Sequence, residues 1–152
     1  FIHADSELEN NAVRGLLTRL NQEPQALYYH DLEFTDDGPR QMYLNSRAVR
    51  WRSDFLKLPF GDQAFCLPRQ QFFSFGCYDE SAAFGEDYLL VWKAHQMGLP
   101  VKRTGYKIWT SARKYQSGGW GKVTLTHIFL TFKQGAPEFF KLLKIKLMRS
   151  EK

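Results

Sequence analysis

Apolar positions along this chain shift between helical and strand spacing, with turn residues at the joints. Val13, Leu16, Leu17 and Leu20 recur at helical intervals, which predicts a helix from Glu7 to Leu20 with Ser6 as its N-cap. Asn21 to Pro24 break it. Ala26 to Phe34 carries Leu27, Tyr28, Tyr29, Leu32 and Phe34 in loose alternation and predicts a strand. Thr35-Asp36-Asp37-Gly38-Pro39 predicts a turn. Met42 to Leu56 is predicted helical, with Tyr43, Val49, Trp51 and Phe55 available for packing and several arginines outside. Gly61 to Leu67 leads into a strand, Pro68 starts a short helix through Phe75, and Gly76 stops it. Gly85-Glu86-Asp87 opens a helix that places Leu90, Ala94 and Met97 on one face, and Gly98-Leu99-Pro100 closes it. Val101 to Arg103 and Lys107 to Thr110 read as two short strands. Ser111 to Gly121 reads as an irregular, basic, glycine-rich loop. Lys122 to Lys133 and Pro137 to Arg149 read as two helices parted by Gln134-Gly135. Strands interleaved with helices place the chain in the α/β class.

The 152 residues suffice for one domain with a core. Aromatic residues reach 16%, which predicts a core or groove rich in Phe, Tyr and Trp. The net charge of +5 favours an anionic partner, whether nucleotide diphosphate, nucleic acid or acidic lipid. Cys66 and Cys77 are too few for a disulfide framework and lack a paired metal spacing, which suits a reduced, cytoplasmic setting. No apolar run approaches the roughly 20 residues of a spanning helix. No Walker A or dinucleotide fingerprint is present.

Four segments carry candidate chemistry. In His3-Ala4-Asp5, an extended backbone puts His3 and Asp5 on one face, and carboxylate with imidazole suits Mn²⁺ or Mg²⁺. The commoner role of such a stretch is a strand end followed by a helix cap. Glu86 and Asp87 fall in a first helical turn, where acids are stabilised by the helix dipole; beside a cleft, one could act as a general base. Gly61-Asp62-Gln63 offers hydrogen bonds suited to a polyol, or makes a simple Gly-Asp turn. Arg113, Lys114 and Trp120, set among Gly118, Gly119 and Gly121, describe either a solvated loop or a lid over a phosphate.

Taken in order, Phe1-Ile2-His3-Ala4-Asp5-Ser6, Gly61-Asp62-Gln63-Ala64, Gly85-Glu86-Asp87-Tyr88-Leu89-Leu90 and Thr110-Ser111-Ala112-Arg113-Lys114 resemble the C-terminal part of family 2 glycosyltransferases of the GT-A fold. The nearest likeness is a bacterial subgroup with a His-Ala-Asp metal motif. The resemblance implies a mixed sheet flanked by helices and an inverting transfer of sugar from a nucleotide-diphosphate donor to a hydroxyl acceptor. It implies Asp5 and His3 at a divalent metal, Arg113 and Lys114 with His3 and Asp5 at the donor, and Asp87 with Glu86 at the catalytic centre. Gly61, Asp62, Gln63 and Trp120 would meet the acceptor. The family's Gln-x-x-Arg-Trp motif is not matched, and Arg113-Lys114-Tyr115 only echoes it.

The resemblance also implies that an N-terminal nucleotide-binding half is missing, so this fragment alone is expected to be inactive. Phe1 and Ile2 are then expected to form a strand of a mostly parallel sheet, with an unpaired edge that recruits a second chain. Residues 1–135 are expected to form the metal and acceptor part, and 136–152 a basic amphipathic helix. Within that helix, 137–149 could touch an acidic membrane peripherally, at its cytoplasmic face. The competing reading is a basic binding module for an anionic membrane surface or nucleic acid. A module of that kind has no use for an acid pair at a cleft.

Overall fold

The computed structural model describes residues 1–150, and they form a mixed α/β fold. The elements are β1 (Ser6–Leu8), α1 (Ala12–Gln22), β2 (Leu27–Phe34), α2 (Met42–Trp51), β3 (Phe65–Cys66), α3 (Arg69–Ser74), α4 (Glu86–Met97), β4 (Val101–Thr110), α5 (Arg113–Gly118) and α6 (Trp120–Ser150). A π-helical turn, Arg52–Leu56, extends α2, and a 3₁₀ turn, Gly61–Gln63, precedes β3.

The four strands lie in the order β1-β4-β2-β3. β2 and β4 run parallel, and both edge strands run antiparallel to their neighbours. The sheet is thus mixed, as expected. The central strands are apolar on both faces, as strands covered on both sides must be: Leu27, Tyr28, Tyr29 and Leu32 of β2 and Ile108 of β4 are buried. α4 supplies Tyr88, Leu90, Val91, Trp92 and Ala94 to the main core, against Leu27, Tyr29, Phe65 and Val101. No helix among the described residues is long and apolar enough to cross a membrane.

Four local expectations are corrected. Residues 1–5 do not form a strand; Phe1 instead exchanges backbone hydrogen bonds with Phe65 at 2.7 and 2.9 Å, along the free side of β3. Ser6 begins β1 rather than capping a helix, because Ser6, Glu7 and Leu8 pair with Thr110, Trp109 and Ile108; α1 therefore starts only at Ala12. Val13 and Leu17 of its apolar stripe are exposed. The two strands expected at 101–110 are one, with Gly105 at φ 85° absorbing an irregularity in its pairing with β2. The two terminal helices are also one. Pro137 lies inside α6, and the expected break at Gln134-Gly135 is a point of close helix contact.

Candidate functional site

α4 begins at Gly85, whose φ of +63° is the left-handed conformation that glycine adopts without strain. Glu86 and Asp87 fill the first turn, where the helix dipole favours negative charge. Glu86 points to solvent, whereas Asp87 is half-buried. The Asp87 carboxylate accepts a hydrogen bond from the Gly61 backbone N–H. Only glycine allows this approach: a Cβ at position 61 would lie 2.7 Å from Asp87 Oδ2, 2.9 Å from its Cβ and 3.0 Å from its Cγ. From the other side, Gln134 of α6 donates from Nε2 to the Phe84 carbonyl at 2.7 Å. Gly135 is buried where a Cβ would come within 2.8 Å of the Tyr88 hydroxyl. The Gly61 turn and α6 thus hold the start of α4 between them.

Beside Asp87 lies a polar cluster with unused hydrogen-bonding capacity. Oδ1 of Asp62 is shielded from solvent and has no partner among the described residues. Burial pushes the Asp62 carboxyl above its ordinary range and Asp87 adds to that shift, while the positive charges of Arg52, His3 and Lys114 oppose it. Arg52 donates from Nε to the Leu58 carbonyl at 2.8 Å and stacks its guanidinium 3.5 Å from the Phe60 ring centroid. Its Nη2 is buried and unpaired. Burial draws the Arg52 guanidinium below its ordinary value, against the pull of Asp62, Tyr88 and Asp87. The cluster therefore holds a buried acceptor and a buried donor, both free, next to a held carboxylate. A hydroxyl-bearing ligand matches that pattern, because it can donate to Asp62 and accept from Arg52.

The remaining expected residues fall in distinct places. Gln63 faces inward: its Oε1 accepts from the Ser53 hydroxyl at 2.8 Å and the Phe60 amide at 3.2 Å, and its Nε2 donates to the His30 carbonyl at 3.0 Å. It fixes the turn that carries Asp62. His3 and Asp5 are exposed on the turn before β1, where the His3 carbonyl accepts from Ser6 N–H at 3.2 Å. His3 lies close enough for its charge to act on Asp62.

The segment expected to be an irregular loop contains α5, anchored by buried Tyr115. Lys114 also acts on Asp62, whereas Arg113 faces Asp37 at 3.8 Å and takes a 2.9 Å contact with the Ser111 hydroxyl. Asp37 in turn accepts from the Ala112 amide at 2.7 Å, and its bonds to Ser111, Thr35 and Ala112 hold its carboxyl down at about 2. Trp120 donates from Nε1 to Asn45 Oδ1 at 2.8 Å, which ties the start of α6 to α2.

Arg52 was missed from the sequence, where the arginines of its segment were placed outside. One signal existed: Arg52 follows half-buried Val49 by three positions and so shares its face. A cavity of about 440 Å³ lies elsewhere, between α2 and the β2–β4 pair. Arg103 is paired there with Asp31 on the cavity wall, and of the expected site residues only Gln63 reaches it.

The donor set can be weighed against a divalent metal. Among the described residues, no three His, Cys, Asp or Glu side chains converge as ligands. His3 and Asp5 would supply two. Mg²⁺ and Mn²⁺ are held by one or two protein groups where substrate phosphates and water fill the other positions. The extended backbone expected to put His3 and Asp5 on one face is replaced by a turn at Ala4 and Asp5, so these two donors do not fit a metal caged by protein alone and would serve only one that arrives with a diphosphate. Compared with protein-family models, with curated proteins and with solved structures, the chain finds no match.

Proposed function

We propose that this chain is the metal- and acceptor-binding part of an inverting glycosyltransferase of the GT-A class, acting on a nucleotide-diphospho-sugar. The observation that carries this reading is the Asp87 carboxylate, held by the Gly61 N–H at the start of a helix and adjoining the unpaired Asp62 Oδ1 and Arg52 Nη2. One carboxylate oxygen is fixed by the backbone, which leaves the other to act as a base. The buried acceptor and donor beside it would orient a polyol.

In the proposed reaction Asp87 takes the proton from an acceptor hydroxyl. The oxygen's electron pair forms the new bond to the anomeric carbon, and the bond from that carbon to the diphosphate oxygen breaks with its electrons leaving on the diphosphate. Attack opposite to departure inverts the anomeric centre. Lys114 and His3, whose charges act on Asp62, would supply positive charge to the departing phosphate, and Arg113 would have to leave Asp37 to join them. A divalent cation at Asp5 and His3 would neutralise the diphosphate charge.

Two substitutions separate the roles in the intact protein. Asp5→Ala should abolish metal-dependent nucleotide binding and transfer while the thermal transition stays in place. Asp87→Asn keeps the shape and loses the proton acceptor, so kcat should fall ~10²–10⁴-fold with donor binding retained. Undiminished turnover in either variant removes the corresponding assignment. The competing binding module for nucleic acid or membrane predicts no metal-dependent affinity for a sugar nucleotide in any variant.

A further inference from the structure

α6 carries two apolar faces, and only one of them is used. Residues at helical spacing on its inner face, among them Val123, Leu130, Gln134, Gly135 and Leu142, are wholly or partly buried. The opposite face is also apolar, yet open. Leu125, Phe129, Phe132, Phe140, Leu143 and Leu147 are all exposed, with Phe129 at 64%, Phe132 at 72% and Phe140 at 66%. Their steps of three, four or eight residues, close to whole helical turns, align them in one stripe. From Leu125 to Leu147 that stripe is about 33 Å long at the α-helical rise. Six such side chains leave roughly 600 Å² of apolar surface in water, at or above the largest patch an ordinary monomer shows.

Charge selects the occupant. Lys122, Lys133 and Lys144 flank the stripe on one side and Lys146 on the other, by helical position. Glu138 is the sole acid of α6, and it lies on the inner side, bonded to Gln96 at 2.8 Å and to Lys141 at 2.6 Å. A second copy of this chain on the same stripe would set lysine rows against lysine rows. A helix with an apolar face, lysine flanks and no acid beside them matches the boundary of an anionic bilayer, where apolar side chains enter the acyl region and ammonium groups meet the headgroups. Because α6 is a single helix, the lipid-facing surface would begin at Leu125 and not only after Pro137.

We infer that the outer face of α6, from Leu125 to Leu147, docks the protein on an anionic membrane surface, lying in the interface without crossing it. This inference does not rest on the transferase reading, because it uses no residue of the candidate site. The inner face does join the two: Gln134 and Gly135 brace the start of α4, so a bilayer on the outer face would seat Asp87 near the membrane.

The test is co-sedimentation of the full chain with vesicles of phosphatidylcholine alone and with phosphatidylglycerol added, each at low and high salt. Binding is expected to the anionic vesicles and to weaken with salt. Phe132→Asp combined with Phe140→Asp should cut the partition coefficient at least ~10-fold. Both positions are exposed, so an unchanged thermal transition and circular dichroism spectrum should accompany the loss. Lys133→Glu with Lys144→Glu should reduce binding to anionic vesicles while keeping the apolar face. Equal binding by the phenylalanine variant, equal affinity for neutral vesicles, or no binding at all would overturn the inference. A dimer in sedimentation that the phenylalanine variant dissolves would give the stripe to a second copy instead. None of these outcomes alters the nucleotide-binding and turnover tests of Asp5 and Asp87.

Discussion

Gly61→Ala is the smallest change that should disturb the candidate site. The added Cβ would stand 2.7 Å from Asp87 Oδ2, 2.9 Å from its Cβ and 3.0 Å from its Cγ, all atoms of one held side chain. Real contacts of this kind need about 3.4 Å or more, so Asp87 or the turn must move by several tenths of an ångström. Gly61 has no positive φ, so backbone strain is not part of the effect. Overpacking of a tight site costs about 1–3 kcal/mol. For a chain of this size each kcal/mol lowers Tm by roughly 2–4 °C, so a fall of about 3–10 °C is expected in thermal denaturation. The charge-assisted bond from the Gly61 amide should lengthen, and under the proposed function a shifted Asp87 should lower kcat by up to about 10²-fold, the effect of a misplacement near 1 Å. Asp87→Ala removes Oδ2 and Cγ but keeps the Cβ at 2.9 Å, so Gly61→Ala in that background should cost less, though not nothing. A Gly61→Ala protein as stable and as active as the parent would refute the clamp between the turn and α4.

The remaining predictions concern the supports of the site. Arg52→Met should cost about 2–4 kcal/mol in urea denaturation, from one charge-assisted hydrogen bond and one cation–π contact. Arg52→Lys should recover little of it, because an ammonium cannot stack on Phe60 and reach the Leu58 carbonyl together; full recovery would show that charge alone matters. His30 is buried, and neither ring nitrogen has a partner in hydrogen-bond geometry, although the nearby backbone of Ala64 and Gln63 partly opposes the effect of burial. Burial lowers its pKa, so the unfolded chain takes up the proton first. The stability His30 contributes is therefore present above about pH 6.5 and is lost as pH falls toward its folded value, at a limiting slope of ~1.4 kcal/mol per pH unit. Stability that does not change between pH 7 and 5.5 would contradict this. Asp37→Ala should speed hydrogen exchange at the Ala112 amide while leaving α4 protected, since that amide bonds only to the Asp37 carboxylate.

Much of the fold was legible from local pattern, and the failures share a cause. β2, the 35–39 turn, α2, α3 and the limits of α4 follow from apolar spacing and from Gly76, Gly85 and Gly98, which act over a few residues. Ser6 to Leu8 went astray because pairing with β4, a hundred positions on, outweighed a plausible helix cap. β4 was split at Gly105 because an irregularity inside a strand looks like a turn in sequence. α6 was divided because Gly135 lies two residues before Pro137; the glycine serves contact with Tyr88, and the helix continues through the proline.

At the site, Asp62 and Asp87 were picked out by residue type beside glycine. The clasp between Gly61 and Asp87 is a contact across 26 positions that no local pattern encodes. Arg52 was hidden for a related reason: charge predicts the surface, and only the Phe60 ring and the Leu58 carbonyl explain its burial.

The central claim is most directly tested by the anomeric configuration of the product formed by the intact protein from a nucleotide-diphospho-sugar, read by proton NMR before mutarotation. The account predicts a single product of inverted configuration, formed only with Mn²⁺ or Mg²⁺ and lost with Asp87→Asn. A product of retained configuration, or an inverted product formed at an unchanged rate by Asp87→Asn, would contradict it.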